Sequence, residues 1–232
     1  MIDKPLPNIE LFHVHVPKTA GSSLNWMLKK AFGPAFCSHE IQRIKDDPSV
    51  RVAAAHMRYS TAKRVFPNAR FVTILREPES RMKSEMRYFF ARKGELKYRD
   101  LGEKLNQFID DNGYFLPNEE LISSHDFKFR FDNTLVRYLK TTGHTPRVSD
   151  TTLLSAVEGL GQFMKVISQD NFEHEASALF DELGCSSIEP DKRNLARTKI
   201  PLWETLPSIL EPYLAHDRKF FKIAASTETV EA

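Results

Sequence analysis

The stretch that decides the fold is LFHVHVPKTAGSSLNWML, which covers residues 11–28. It opens with an apolar, β-branched run and continues through a short polar segment. Apolar residues then recur at steps of three and four, which is the spacing of a helix with one buried face. The pattern predicts a strand over 11–16, a tight loop, and a helix over about 22–32.

The polar segment has the composition of an anion-binding loop. Backbone N–H groups that converge at a helix N-terminus attract phosphate or sulfate, and a lysine with several hydroxyls adds donors. It is not a Walker A loop, because that motif places its lysine after the glycines. A strand–helix turn with a simple serine cap is the ordinary alternative. The predicted anion-binding residues are Lys18, Thr19, Ala20, Gly21, Ser22 and Ser23.

A second stretch repeats the same arrangement later in the chain. The segment ARFVTILR, residues 69–76, is rich in Phe, Val, Thr and Ile and predicts a buried parallel strand. Arg76 closes that strand, and in open α/β sheets this edge binds ligands. Arg76 and Ser84 can therefore hold a second phosphate. An ordinary surface helix would explain Arg81 and Lys83, but it explains an arginine at a strand end less well.

The two motifs together resemble a known family. PKTAGSS (17–23), followed by LREPESRMKSEM (75–86), is similar to the sulfotransferases that use 3′-phosphoadenosine 5′-phosphosulfate, PAPS. The likeness is greatest to the carbohydrate sulfotransferases that include heparan sulfate 2-O-sulfotransferase. It implies that residues 18–23 bind the 5′-phosphosulfate, and that Arg76 and Ser84 bind the 3′-phosphate. Weaker likeness extends to 132–139, 193–194 and 216–221.

The same resemblance assigns a catalytic base. His56 ends the predicted second strand, in AAAHM, and an imidazole titrates near neutral pH. In 2-O-sulfotransferase-like enzymes, a histidine at this place takes the proton of the acceptor hydroxyl. The resemblance further implies that Lys18 stabilises the leaving group, 3′,5′-ADP, and that no metal is required. The alternative is that His56 has only a structural role, as a core or helix-capping histidine.

Other candidate residues follow from weaker signals. Arg92, Lys93 and Lys97 belong to a basic tract with interleaved aromatics, and they are candidates for acceptor binding. The late polar segment suggests that Arg193 and Asn194 close over the nucleotide. His13 and His15 form an H-x-H pair, which can be half of a metal site, but no further ligands are evident. Hydrogen-bonded buried histidines are therefore favoured, and His39 and the other histidines look scattered.

Composition limits the remaining possibilities. The chain has 232 residues, 41% hydrophobic content and a net charge of +2, which suits one soluble α/β domain and not a nucleic-acid-binding protein. No transmembrane segment or signal peptide is recognisable, which favours a cytoplasmic, bacterial-like enzyme.

The expected fold is a single P-loop NTPase-like three-layer sandwich over 1–232, with a mostly parallel sheet and flexible ends at 1–10 and 225–232. Two other functions remain open: a P-loop nucleotide kinase, or a non-catalytic PAPS- or phosphate-binding module. The expected partner is a hydroxyl-bearing acceptor, and a glycan or glycoconjugate is favoured. The identity of the acceptor and the oligomeric state cannot be deduced from the sequence.

Overall fold

The computed structural model describes residues 5–6, 8–92, 99–142, 148–186, 188–189 and 202–228. They form one α/β domain around a five-stranded sheet in which every strand pair is parallel. The strands are β1 (Leu11–Val14), β2 (Phe36–Ser38), β3 (Val52–Ala55), β4 (Arg70–Leu75) and β5 (Lys165–Ser168). The helices are α1 (Gly21–Phe32), α2 (Ile41–Asp46), α3 (Tyr59–Val65), α4 (Pro78–Ala91), α5 (Arg99–Asn106), α6 (Glu119–Ser123), α7 (His125–Phe131), α8 (Thr134–Leu139), α9 (Asp150–Leu160), α10 (Phe172–Glu182) and α11 (Ala215–Glu228). None of these described helices has both the length and the apolar character needed to cross a membrane.

The order of the strands explains where a ligand site can form. The order is β2-β3-β1-β4-β5, so the strand that precedes the polar loop lies in the centre of the sheet. From β1 the chain first builds one side of the sheet and then crosses over to build the other. The carboxyl ends of β1 and β4 therefore flank the point where the strand order reverses, which is the usual ligand crevice of an open parallel sheet. The predicted α/β sandwich is confirmed, and its sheet is entirely parallel.

Each face of the sheet is covered by helices, because alternate strand residues are apolar on both faces. Phe12, Val14 and Phe71 pack on one face with residues of α2, α3, α8, α9 and α11. Leu11, Val72 and their neighbours pack on the other face with α1 and α10. A third apolar cluster is built around α4 from residues of α4 to α7 and the segment 202–214. The sheet is thus buried on both faces, and only its edges and strand ends can offer polar sites.

Two helices cap each other across a long sequence separation. The Asp217 carboxylate, in α11, accepts hydrogen bonds from the Leu135 and Val136 N–H groups at 3.0 and 2.9 Å, at the start of α8. In return the Asn133 side-chain oxygen accepts from the N–H groups of His216 and Asp217. Both side chains are buried. This reciprocal capping joins the segments 132–139 and 216–221, which the sequence analysis linked only through a resemblance.

The structure differs from the sequence predictions in four places. The sequence FKFRF, residues 127–131, alternates like a strand but lies in helix α7, and the three-residue strand β2 lies within 35–49, where the sequence suggests only a loop and a short helix. Helix α11 continues to Glu228, beyond the predicted start of a flexible end at 225. Within the end predicted to be flexible, Ile9 is fully buried and the Leu6 N–H donates to the Val65 carbonyl at 2.7 Å.

Candidate functional site

The polar loop after β1 is a tight turn held by its own hydrogen bonds. Lys18 and Ala20 adopt left-handed backbone conformations, with φ of 68° and 75°, just before α1 begins at Gly21. The Thr19 hydroxyl is buried and donates to the Val16 carbonyl at 2.9 Å. Its hydroxyl therefore stabilises the loop, whereas the sequence analysis assigned it to a ligand. Ser22 is exposed at the first turn of α1.

Gly21 has a packing role that the sequence did not indicate. A Cβ atom at this position would lie 2.2 Å from Cδ2 and 2.3 Å from Nε2 of His15. The buried His15 ring thus occupies the space of the missing side chain. The absence of a Cβ lets the start of α1 lie directly against the end of β1, which sets the shape of the loop between them.

Arg76 connects the two motif segments. Its Nη1 donates to the Lys18 carbonyl at 3.2 Å, so the end of β4 is tied to the loop after β1. Its Nε is buried and has no hydrogen-bond partner among the described residues. Burial lowers the pKa of Arg76, Asp170 opposes that shift, and Arg81 lowers the pKa further. An anionic ligand would stabilise this arrangement, because it could accept a hydrogen bond from the buried Nε and offset the positive charge of the neighbouring cations.

Lys18 lies among further cations. Its Nζ is 4.3 Å from the centroid of the Tyr88 ring, and Cζ of Arg92 is 4.6 Å from the same centroid. Burial lowers the pKa of Lys18, Glu85 partly offsets this, and Arg76 and Arg92 lower the pKa again. Arg92, predicted as an acceptor-binding residue, therefore lies near Lys18 of the polar loop after β1.

Helix α4 carries one predicted phosphate-binding residue, Ser84, and a second residue, Arg81, that is buried. Ser84 is half-buried on α4, in the helix that follows Arg76. The N-terminus of α4 is capped by the Glu77 carboxylate, which accepts from the N–H groups of Glu79 and Ser80 at 2.9 and 2.6 Å. Arg81 is fully buried and donates to Glu85 at 2.6 Å, so the interpretation of Arg81 as a surface charge was wrong.

His56 follows β3 directly and is exposed. Its Nδ1 lies 2.7 Å from the His15 carbonyl oxygen. A carbonyl can only accept, so Nδ1 carries the proton and Nε2 is the nitrogen with the lone pair. This hydrogen bond fixes the orientation of the ring at the carboxyl end of β3.

Two other histidines lie against His56. The centroid of its ring is 4.3 Å from that of His15 and 4.6 Å from that of His39. Behind them, Nδ1 of His13 is 2.7 Å from Oδ1 of the buried Asn25. Burial lowers the pKa of His13 to about 4, and burial and the neighbouring histidines hold the pKa of His15 well below its usual value. Both histidines of the H-x-H pair are buried, as predicted, but Nε2 of His13 is buried with no hydrogen-bond partner among the described residues.

A cavity of about 130 Å³ opens beside His56. Its lining includes three arginines, Arg58, Arg130 and Arg137, together with Glu85. Burial, and then Arg58, lowers the pKa of Arg137. Typical sites for small molecules enclose roughly 300–1,000 Å³, so this cavity accommodates one end of a ligand. Among its charged lining residues, the three arginines outnumber the one carboxylate.

Some predicted residues lie outside the described part of the chain. Lys93, Lys97, Arg193 and Asn194 belong to this group. One residue near the site, His39, was missed by the sequence analysis. His39 was judged to be scattered, because the three-residue strand β2 that positions it was not recognised. A histidine directly after each of three neighbouring strands was the signal that could have found it.

Comparison with known proteins finds similar chains among solved structures only. No protein-family model matches the chain, and no curated protein matches its sequence. Among solved structures, the chain is similar to mouse sulfotransferase SULT7A1 complexed with PAP, at 13% identity and a TM-score of 0.44. That match covers 97% of this chain but 66% of the mouse protein, just under two thirds. A sulfotransferase from Alicyclobacillus acidocaldarius is 17% identical, with a TM-score of 0.47 and 95% of both chains covered.

Proposed function

We propose that this protein is a sulfotransferase that moves the sulfuryl group of PAPS to an acceptor hydroxyl and releases 3′,5′-ADP. The observation that carries the proposal is the hydrogen bond from Arg76 Nη1 to the Lys18 carbonyl, at 3.2 Å. It joins the two motif segments at the edge of the sheet where parallel α/β folds bind ligands. His56 follows the next strand on the other side of β1, so all three proposed functional groups share that edge.

The proposed nucleotide site has two anion-binding parts. Lys18, with the N–H groups of the loop and the hydroxyls of Ser22 and Ser23, would bind the 5′-phosphosulfate. Arg76 and Ser84 would bind the 3′-phosphate, and the guanidinium offers two N–H groups in a planar fork. The N-terminus of α4 is occupied by Glu77 and would not contribute. Mutual repulsion among Lys18, Arg76 and Arg92 would be relieved by the bound anions.

The proposed chemistry is an in-line displacement at sulfur. Nε2 of His56 takes the proton of the acceptor hydroxyl while the acceptor oxygen forms a bond to sulfur. The bond from sulfur to the bridging oxygen of PAPS breaks, and Lys18 stabilises the negative charge that develops on 3′,5′-ADP. By analogy with phosphoryl transfer, positioning and charge stabilisation supply most of the rate. Because side chains provide the positive charge, the reaction needs no metal.

The cavity beside His56 suggests where the acceptor binds. Three of its lining residues are arginines, and a single carboxylate, Glu85, faces them among the lining residues named above. Such a lining suits a hydroxyl next to a negatively charged group. We infer an acidic carbohydrate, of which only the reacting end enters the cavity.

Nucleotide specificity is tested by calorimetric titration with 3′,5′-ADP, 5′-AMP and ATP, the last with and without Mg²⁺. The expected result is binding that needs the 3′-phosphate and weakens by at least about tenfold in Arg76→Ala, since charge-assisted hydrogen bonds contribute about 1.5–3 kcal/mol. Arg70→Ala is the matched control, because Arg70 is exposed at the opposite end of the same strand. Tight, Mg²⁺-dependent ATP binding with no preference for a 3′-phosphate would instead support the kinase.

Catalysis is tested by following 3′,5′-ADP release from PAPS with a panel of acidic glycans, neutral glycans and phenols. We expect His56→Gln to lower turnover by about 10²–10⁴, the usual contribution of a general base, and to leave 3′,5′-ADP affinity unchanged. His174→Gln is the control, because His174 is exposed on α10. Nucleotide binding without turnover on any acceptor, in wild type and variant alike, would favour the non-catalytic module.

A further inference from the structure

Three neighbouring strands each end in a histidine. His39 follows the last residue of β2, His56 follows the last residue of β3, and His15 follows the last residue of β1. The sheet order places these strands side by side as β2-β3-β1. Because the strands are parallel, the three imidazoles meet at one edge of the sheet. One ligand nitrogen from each lies within 4.8 Å of the others.

The spacing within the group fits a metal ion. Nδ1 of His15 and Nε2 of His39 are 3.3 Å apart. With Zn–N bonds of about 2.0–2.1 Å, two nitrogens of a tetrahedral site stand about 3.3 Å apart. This pair is therefore already at ligand spacing, and the third nitrogen, from His56, lies within 4.8 Å of the other two.

The surroundings of the three rings resemble the outer shell of a metal site. Metal-bound histidines generally donate their other ring N–H to a carbonyl or carboxylate, which fixes the ring and the tautomer. His56 makes such a bond to the His15 carbonyl at 2.7 Å. His15 is 6% exposed and packs against Gly21 on one side and the His13 ring, at 5.1 Å between centroids, on another. One ligand is thus held rigidly, while two are accessible from solvent.

We propose that His15, His39 and His56 form a binding site for a divalent transition-metal ion, with Zn²⁺ as the best fit. Imidazole nitrogens suit Zn²⁺, Cu²⁺ and Ni²⁺, and three histidines leave a fourth position for water. A hydrogen bond between His15 and His39 without any metal is the competing explanation of their 3.3 Å separation.

The site has a consequence for catalysis that rests on the proposed function. The lone pair of His56 Nε2 would be used both by the metal and by the acceptor proton. A bound ion therefore prevents His56 from acting as a base, and the metal acts as a reversible inhibitor. Removal of the ion by a chelator restores the base without any other change in the site.

The binding test uses the full-length, untagged protein without nucleotide. Co²⁺ is titrated and followed by the visible absorption of its four-coordinate form, and Zn²⁺ affinity is measured by competition with a chromophoric chelator. We expect one equivalent to bind. His39→Ala should weaken the affinity by more than the 10–100-fold typical of losing an outer-shell partner (about 10²-fold or more). His174→Ala, on the exposed face of α10, should leave the affinity unchanged.

Two outcomes would overturn the metal site: no binding of one equivalent by wild type, or equal affinity in wild type and His39→Ala. Circular dichroism of His39→Ala checks that the variant folds, and His15→Ala supplies a second ligand deletion. The inhibition is tested separately, since Zn²⁺ should suppress PAPS turnover in wild type and far less in His39→Ala. Metal binding without inhibition would retain the site and reject its effect on His56. If no turnover exists in any condition, the proposed function fails and the binding result still stands.

Discussion

Replacement of Gly21 by alanine tests how the loop is built. In an exposed helix, alanine is more favourable than glycine by about 1 kcal/mol. Here the added Cβ would lie 2.2 Å from Cδ2 and 2.9 Å from Cγ of His15, far inside van der Waals contact. The His15 ring is buried beside His13 and cannot move away without displacing other side chains. Overpacking of this kind costs about 1–3 kcal/mol, so Gly21→Ala should reduce the free energy of unfolding by that amount.

The assay is urea denaturation, with Gly161→Ala as the matched control. A Cβ at Gly161 would have its nearest atom, the Glu158 carbonyl oxygen, at 3.9 Å, and the residue has φ of −65°. This substitution should be neutral or stabilise the protein by about 0.4–1 kcal/mol, because alanine restricts the unfolded chain. The same Gly21→Ala protein should bind 3′,5′-ADP less tightly, since the start of α1 must shift.

A double-mutant cycle decides whether His15 causes the effect. When His15 is replaced by alanine, the obstructing ring is gone, and Gly21→Ala should no longer destabilise the protein. The coupling free energy should then equal most of the 1–3 kcal/mol cost, within the usual range of about 0.5–3 kcal/mol for residues in contact. If Gly21→Ala costs the same in both backgrounds, or costs nothing in the wild type, the packing argument is refuted.

Two buried charges provide further predictions. Burial raises the pKa of Asp217 from 3.8 to about 6, so its contribution to stability is largest below pH 4 and is lost as the pH rises through 6. Relative to Asp217→Asn, wild type should lose roughly 3 kcal/mol of unfolding free energy between pH 3 and 7, and a pH-independent difference in urea denaturation would contradict this. Arg81→Met leaves the buried Glu85 carboxylate without its partner at 2.6 Å, and should cost about 3–5 kcal/mol. The double variant with Glu85→Gln should recover more than half of that loss, whereas no recovery would show that the pair is not the cause.

The fold prediction succeeded where it depended on local sequence. A β-branched run, a polar loop and a helix with three- and four-residue spacing occur within 11–32, and each is determined by contacts between near neighbours. The strand–helix unit around Arg76 is equally local. The parallel sheet then follows, because strands that alternate with helices pair in parallel. The position of the proposed ligand groups also follows from the sequence. Both polar segments begin where a strand ends, so parallel strands place them at the same edge of the sheet.

The segment FKFRF shows how a local pattern can mislead. Its alternation of apolar and charged residues suggests a strand, yet it forms helix α7. Phe127 and Phe131 are both buried, and their spacing of four residues places them on one face of a helix. Phe129 lies between them and is 53% exposed. Residues four positions apart share a face both in a strand, where side chains alternate, and in a helix. Five residues alone therefore cannot distinguish the two structures.

By itself, the amino-acid sequence determined the strand–loop–helix units around residues 11–32 and 69–91, and it supplied the two proposed anion-binding segments and the proposed base, because these depend on residues close together in the chain. The tertiary structure alone decided that His39 lies beside His15 and His56, that Arg81 is buried, and that Asn133 and Asp217 cap each other's helices. Each of those facts depends on packing between distant segments. The free energy of such contacts is set by burial and geometry, which sequence spacing does not encode.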